Sequence, residues 1–73
     1  MKPGTRIHLH ERLTGLLLVP DGARCVYTLE RGKVAIVTQL VEKLDQVEVE
    51  SNGLKLMFRR ESLLRAADLV TAA

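Results

Sequence analysis

Short apolar runs alternate with turn-forming residues along the whole chain. Residues 6–10, 15–19, 24–29, 33–41, 46–50 and 54–59 are rich in Val, Leu, Ile and Thr, with Pro20-Asp21-Gly22, Arg31-Gly32 and Asn52-Gly53 among the breaks between them. β-branched residues in short runs between turn signals read as strands. The expected architecture is mainly β, an antiparallel meander of five or six strands curled toward a small barrel, with a short C-terminal helix.

Register can be tested by arithmetic. Asn-Gly is the strongest short hairpin signal, because a type I′ turn needs positive φ at both central positions. With Asn52 and Gly53 in the loop, Val49 faces Leu56, Val47 faces Phe58, and Glu50 faces Lys55. Apolar meets apolar on one side and opposite charges meet on the other; a one-residue slip would destroy every pair. Arg31-Gly32 predicts a second tight hairpin, setting Leu29 against Val34 and Tyr27 against Ile36. Pro20-Asp21-Gly22 predicts a third turn, setting Leu18 against Cys25 and Leu17 against Val26.

These registers place Cys25, Tyr27, Leu29, Val34 and Ile36 in the core. The opposite side of the central strands then carries Leu17, Val26, Ala35 and Val37, with Val19 and Val41 at its edge. A solvent-facing side of an antiparallel sheet is normally polar; this one is not, so something should cover it. Residues 61–70 are rich in helix formers, with Leu63, Ala66, Ala67 and Val70 at helical spacing and Glu61 or Ser62 placed to cap. Either that helix or a second subunit would be the cover.

Size sharpens the alternative. At 73 residues the chain is one domain, residues 1–73, and can bury less of its surface than a larger domain does. Small domains commonly need a staple. A single cysteine excludes an intrachain disulfide framework and a multi-cysteine zinc site, which leaves self-association. The longest unbroken apolar run is Leu16 to Val19, too short for a membrane span, and the N-terminus lacks the apolar stretch of a signal peptide. A cytoplasmic protein is the expectation.

Lys2-Pro3-Gly4-Thr5-Arg6-Ile7-His8-Leu9 resembles the first strand of many small SH3-like barrels. The ending, Val47-Glu48-Val49-Glu50, Asn52-Gly53, Leu54-Lys55-Leu56 and Phe58-Arg59-Arg60-Glu61-Ser62-Leu63, resembles their last hairpin. The resemblance implies a compact barrel used as a binding module, with a short helical turn and a final strand after that hairpin. One continuous helix there would imply some other sheet-plus-helix architecture. The Gly-x-Val signature of the ribosome-associated KOW type is missing before the third strand.

Chemistry-bearing residues are sparse. His8 and His10 share a strand face, a spacing found in metal sites, with Glu11 following. They also share that face with Arg6, opposite Ile7 and Leu9, so solvent-facing strand residues are the simpler account. Cys25 has the parity of Tyr27 and Leu29 and reads as a small core residue. Arg59 and Arg60, with Arg65 behind, form the densest basic feature, and phosphate contacts through Arg6, Arg59, Arg60, Arg65 and Lys55 would make a nucleic-acid module. The hairpin register sets Arg60 opposite Asp45, however, so a solvated ion pair is simpler. A net charge of +2 is too weak to announce such a binder, and the two aromatics, Tyr27 and Phe58, look buried. No phosphate-loop motif is present, so no cofactor and no small-molecule substrate are implied.

The expected function is therefore a non-enzymatic protein–protein interaction module. It would bind a partner or its own copy through Leu17, Val19, Val26, Val37 and Val41. Nucleic-acid binding is the alternative.

Overall fold

The computed structural model describes residues 1–22 and 24–70. The elements follow in the order β1 (Arg6–Leu9), β2 (Leu13–Leu18), β3 (Arg24–Leu29), β4 (Val34–Val41), β5 (Gln46–Ser51), β6 (Leu54–Arg59), α1 (Arg60–Ala66) and β7 (Ala67–Val70). A 3-10 turn at Glu42–Leu44 joins β4 to β5. The strands form one antiparallel sheet in the order β3-β2-β6-β5-β4-β1-β7, curled but not closed into a barrel.

The β5–β6 hairpin has the register its sequence dictates. Val47 faces Phe58, Val49 faces Leu56, and Glu50 faces Lys55. Asn52 (φ 52°) and Gly53 (φ 78°) supply the two positive φ angles of a type I′ turn.

The turn at residues 30–33 forms but does not make a hairpin. The Lys33 amide donates to the Glu30 carbonyl at 3.2 Å, and Gly32 has φ 89°. Arg31 is not among the positive-φ residues. Two-residue hairpin loops need positive φ at the first central position; without it the flanking strands splay. So β3 pairs with β2, while β4 leaves to pair with β1 and β5. The Gly32 amide instead donates to the Leu9 carbonyl at 2.8 Å.

That departure corrects the faces of β4. Ala35 lies opposite Ile7 and Val37 opposite Val49, so both are core residues. Val34 and Ile36, expected in the core, point outward and stay 47% and 42% exposed. Either parity of β4 is apolar, so its own pattern cannot fix the face; its neighbours do. A bulge between Val37 and Gln39 then shifts the register, turning Leu40 toward Val47 and setting Val41 opposite Gln46. Thr38 sits at the bulge, its hydroxyl donating to Glu48 Oε2 at 2.6 Å.

A second correction concerns β2 and β3. The Gly22 amide donates to the Val19 carbonyl at 3.1 Å, with Gly22 at φ 79°. Pro20, Asp21 and Gly22 all belong to the loop, and Leu17, not Leu18, faces Cys25. The one-residue change turns Leu17 toward the core and Leu18 outward. Cys25 and Tyr27 do share the inner face with Leu29, yet only Leu29 is buried. This end of the hairpin extends past the core, leaving Cys25 exposed rather than buried as expected.

The third correction lies at residues 61–70. The helix begins at Arg60, has no side-chain cap and ends at Ala66; Ala67 is already extended at φ −137°, ψ 148°. Neither Glu61 nor Ser62 is the cap. Leu63, Ala66 and Ala67 are buried as their spacing predicts, but Val70 is an exposed strand residue. A short isolated helix gains little from propagation, whereas β7 satisfies the open edge of β1 through the pairs Arg6–Val70, Ile7–Leu69, His8–Asp68 and Leu9–Ala67. The last hairpin is thus followed by a short helix and a final strand.

The core is the inner face of the curled sheet, closed by Leu63 of α1. With Leu63, the largest fully buried side chains are Ile7, Leu9, Val37, Val47, Val49 and Leu56. Ser51 is its one buried polar side chain among the described residues, donating to the Val34 carbonyl at 2.9 Å. Replacing Ser51 by Ala removes the bond that ties the tip of β5 to β4. The expected cost is about 1 kcal/mol in chemical denaturation, with the slope of the transition unchanged.

Candidate protein-contact surface

A sheet with one buried face should be polar on the other. Here the outer face is polar only in part. Leu16 lies opposite Val26 on one side and Met57 on the other, which makes an apolar row across β3, β2 and β6. Leu18 stands beside it, between Arg24 and Lys55 in register. Val26 exposes 73% of its surface, Leu16 40% and Leu18 38%. Thr14 and Thr28, whose hydroxyls lie 2.8 Å apart, form the next row toward the base of the arm. The patch thus has a polar border on that side.

The patch differs from the one the sequence predicted. Val26 is the member of the expected set that stands fully on the outer face. Val37 is only 1% exposed and belongs to the core. Leu17 packs against the core from the inner side. Val19 is half-buried beside the turn, and half-buried Val41 lies opposite Gln46 at the far end of β4. The five residues expected together are therefore divided between two faces and two ends. α1 does not cover the outer patch, because Leu63 is buried on the inner side with the core.

Leu16 and Leu18 were hidden from sequence reasoning, whereas the hairpin register already set Met57 opposite Glu48 on the outer side. Leu16 to Val19 is an unbroken apolar run, so alternation gives no face, and the loop length alone decides it. Outward Val34 and Ile36 form a smaller second patch, Ile36 opposite Arg6 and Arg6 opposite Val70.

The basic residues do not converge. Arg59 lies opposite Gln46, as expected. Arg60 Nη1 approaches Asp45 Oδ1 at 4.0 Å, and its amide donates to the Asp45 carbonyl at 2.9 Å. Arg65 Nη2 donates to Glu61 Oε1 at 3.1 Å. Two of the four arginines thus have a carboxylate beside them. Arg6 is on β1 and Arg59 on β6, three strands apart, or about 14 Å by strand spacing. Lys55 faces Glu50.

His8 and His10 are both exposed, as their parity predicts. His8 lies opposite Asp68 in register, and His10 Nε2 is 4.0 Å from Asp68 Oδ1. Among the described residues, no three His, Cys, Asp or Glu side chains gather as a metal site would require. A depression of about 510 Å³ is an open groove along Leu17, Leu18, Val19, Pro20 and Leu54, with Lys55 and Glu48 also on its wall. It adjoins the apolar row and enlarges it toward the turn. No helix among the described residues is long and apolar enough to cross a membrane.

Comparison of the chain with protein-family models, curated proteins and solved structures yields no match.

Proposed function

We propose that this chain is a non-enzymatic protein–protein contact module that associates with its own copy through the β2–β3–β6 end of its sheet, where the outer face is apolar. The observation that carries the reading is Val26, an aliphatic side chain 73% exposed and continuous with Leu16 and Leu18. Burying each such side chain is worth on the order of 1.5–3 kcal/mol before the ordering cost of association. A small core supports a further gain from assembly.

The order of hairpin, short helix and returning strand supports placing the chain beside SH3-like small barrels used as binding modules. A cytoplasmic setting fits the exposed Cys25 thiol, which stays reduced there. Phosphate binding has less support, since Arg60 and Arg65 already have carboxylate neighbours.

Sedimentation velocity over a rising concentration series tests the reading. The wild-type chain is expected to shift from monomer to dimer in the micromolar range, the weak end of specific association. Leu16→Asp combined with Val26→Lys should remain monomeric while keeping the wild-type far-ultraviolet spectrum. A wild-type chain that stays monomeric throughout would remove the proposal.

A further inference from the structure

The sheet has two edges, and they differ. Among the described residues β7 is four residues long, and it carries Asp68, with His10 4.0 Å away. Short edges bearing charge resist pairing with another chain. β3 is six residues long and pairs only with β2. Its residues 25–29, Cys-Val-Tyr-Thr-Leu, include no charge, no Pro and no Gly. They combine high β propensity with a row of unpaired backbone groups, and the one charge on the strand, Arg24, stands at its start. Cys25 and Tyr27 on one face and Val26 on the other are all exposed, so this strand projects past the core and is open to approach.

We propose that two copies join edge to edge through β3, antiparallel about a two-fold axis at Val26, so that one sheet runs through both. This rests on the self-association reading above and specifies its geometry: the two apolar rows are joined side by side at the β3 edge, not stacked face to face. A two-fold axis perpendicular to the sheet keeps each face continuous, so it must pass through a residue rather than between two. Centring on Val26 sets Val26 against the partner's Val26 and Cys25 against the partner's Tyr27. Thr28 then meets the partner's Arg24 in register, and no like charges face each other. The apolar row Met57–Leu16–Val26 continues into its own copy without a polar break. Centring on Tyr27 would set Val26 against Thr28 and interrupt that row; centring on Cys25 would set Val26 against Arg24. The register at Val26 alone joins the two rows, each side chain gaining an apolar neighbour across the seam.

Disulfide trapping in full-length chains lacking the native thiol separates this seam from a face-to-face stack of the same patches. In the edge pairing, the two Val26 Cα atoms lie about 4.5–5.5 Å apart, within disulfide reach of roughly 4.4–6.8 Å. The two Leu16 residues lie three strand spacings apart, about 14 Å. Val26→Cys with Cys25→Ser should therefore cross-link under mild oxidation, on the order of tenfold more than Leu16→Cys with Cys25→Ser. In the unaltered chain, amide exchange in β3 should slow as concentration rises, while exchange in β7 does not change. If sedimentation shows dimers and Leu16→Cys cross-links as readily as Val26→Cys, the edge seam is wrong and the self-association reading survives. Dimers whose β3 amides gain no protection would likewise overturn the seam alone. A chain monomeric at every concentration overturns both.

Discussion

Replacing Leu63 by Ala is expected to lower stability by about 2–5 kcal/mol, the range for emptying a fully buried leucine site. Leu63 is fully buried, while Leu64 beside it on α1 is exposed. For 73 residues total stability is on the order of 4–11 kcal/mol, so the loss removes a large share. Each kcal/mol moves Tm by roughly 4–8 °C at this size. The effect should also be directional. α1 has seven residues and no side-chain N-cap, so it holds its place through packing rather than intrinsic helix stability. β7 follows it without a break and pairs only with β1. A cavity under Leu63 should therefore loosen α1 and β7 together. Amide exchange in β7 should accelerate more than in β5 or β6. Leu64→Ala should change stability by less than about 1 kcal/mol. Equal effects at the two positions would mean that α1 does not pin the end of the chain through Leu63.

The same contrast shows where the sequence was legible. In β5 and β6, one parity is apolar except for Ser51 and both turn residues accept positive φ, so register and face follow together. The observed pairs are the ones that arithmetic demands. Around β3 and β4 neither condition holds. Val26, Val34 and Ile36 match Tyr27, Ala35 and Val37 in apolarity, so a one-residue error costs nothing in pattern. The errors then compound. Arg31-Gly32 looks like a hairpin loop, but positive φ at Gly32 alone gives a turn that releases β4 toward β1. Across Pro20-Asp21-Gly22 the register differs by one residue from the expected one, with Leu18 opposite Arg24 instead of Cys25.

The contact surface inherited those errors. That the molecule has apolar residues on both sides of its sheet was readable; which residues they are was not. Val26 is exposed under either register because it sits on an arm beyond the core, whereas Val37 changes from proposed contact to core once β4 pairs with β5. At residues 61–70, propensity favours helix throughout, but the unpaired edge of β1 is a long-range demand that local propensity cannot express. The resemblance to SH3-like barrels implied a final strand there, and periodicity implied a helix. The chain contains both, divided between Ala66 and Ala67.

Gly15→Ala should destabilise the fold by roughly 1–3 kcal/mol, and Gly15→Val by more, for a reason the sequence did not announce. Gly15 does not have the positive φ seen at Gly53; what it lacks is room. A Cβ at position 15 would overlap the Phe58 ring and the Met57 carbonyl oxygen. Glycine within a strand marks such a close approach. The Phe58 ring therefore lies against Gly15, the residue paired with Tyr27, and it ties the projecting β2–β3 arm to β6. At Gly53 the reverse holds: space is open and the positive φ is the constraint. Phe58→Leu should consequently recover part of the loss at Gly15→Ala, with a coupling of about 0.5–3 kcal/mol in a double-mutant cycle. The recovery is partial because the Met57 carbonyl remains. The same Phe58 change should leave the cost of Gly53→Ala unaltered. Additive effects at Gly15 and Phe58 in denaturant titrations would show that the ring does not set the space over β2. The arm carrying Val26 would then need a different anchor.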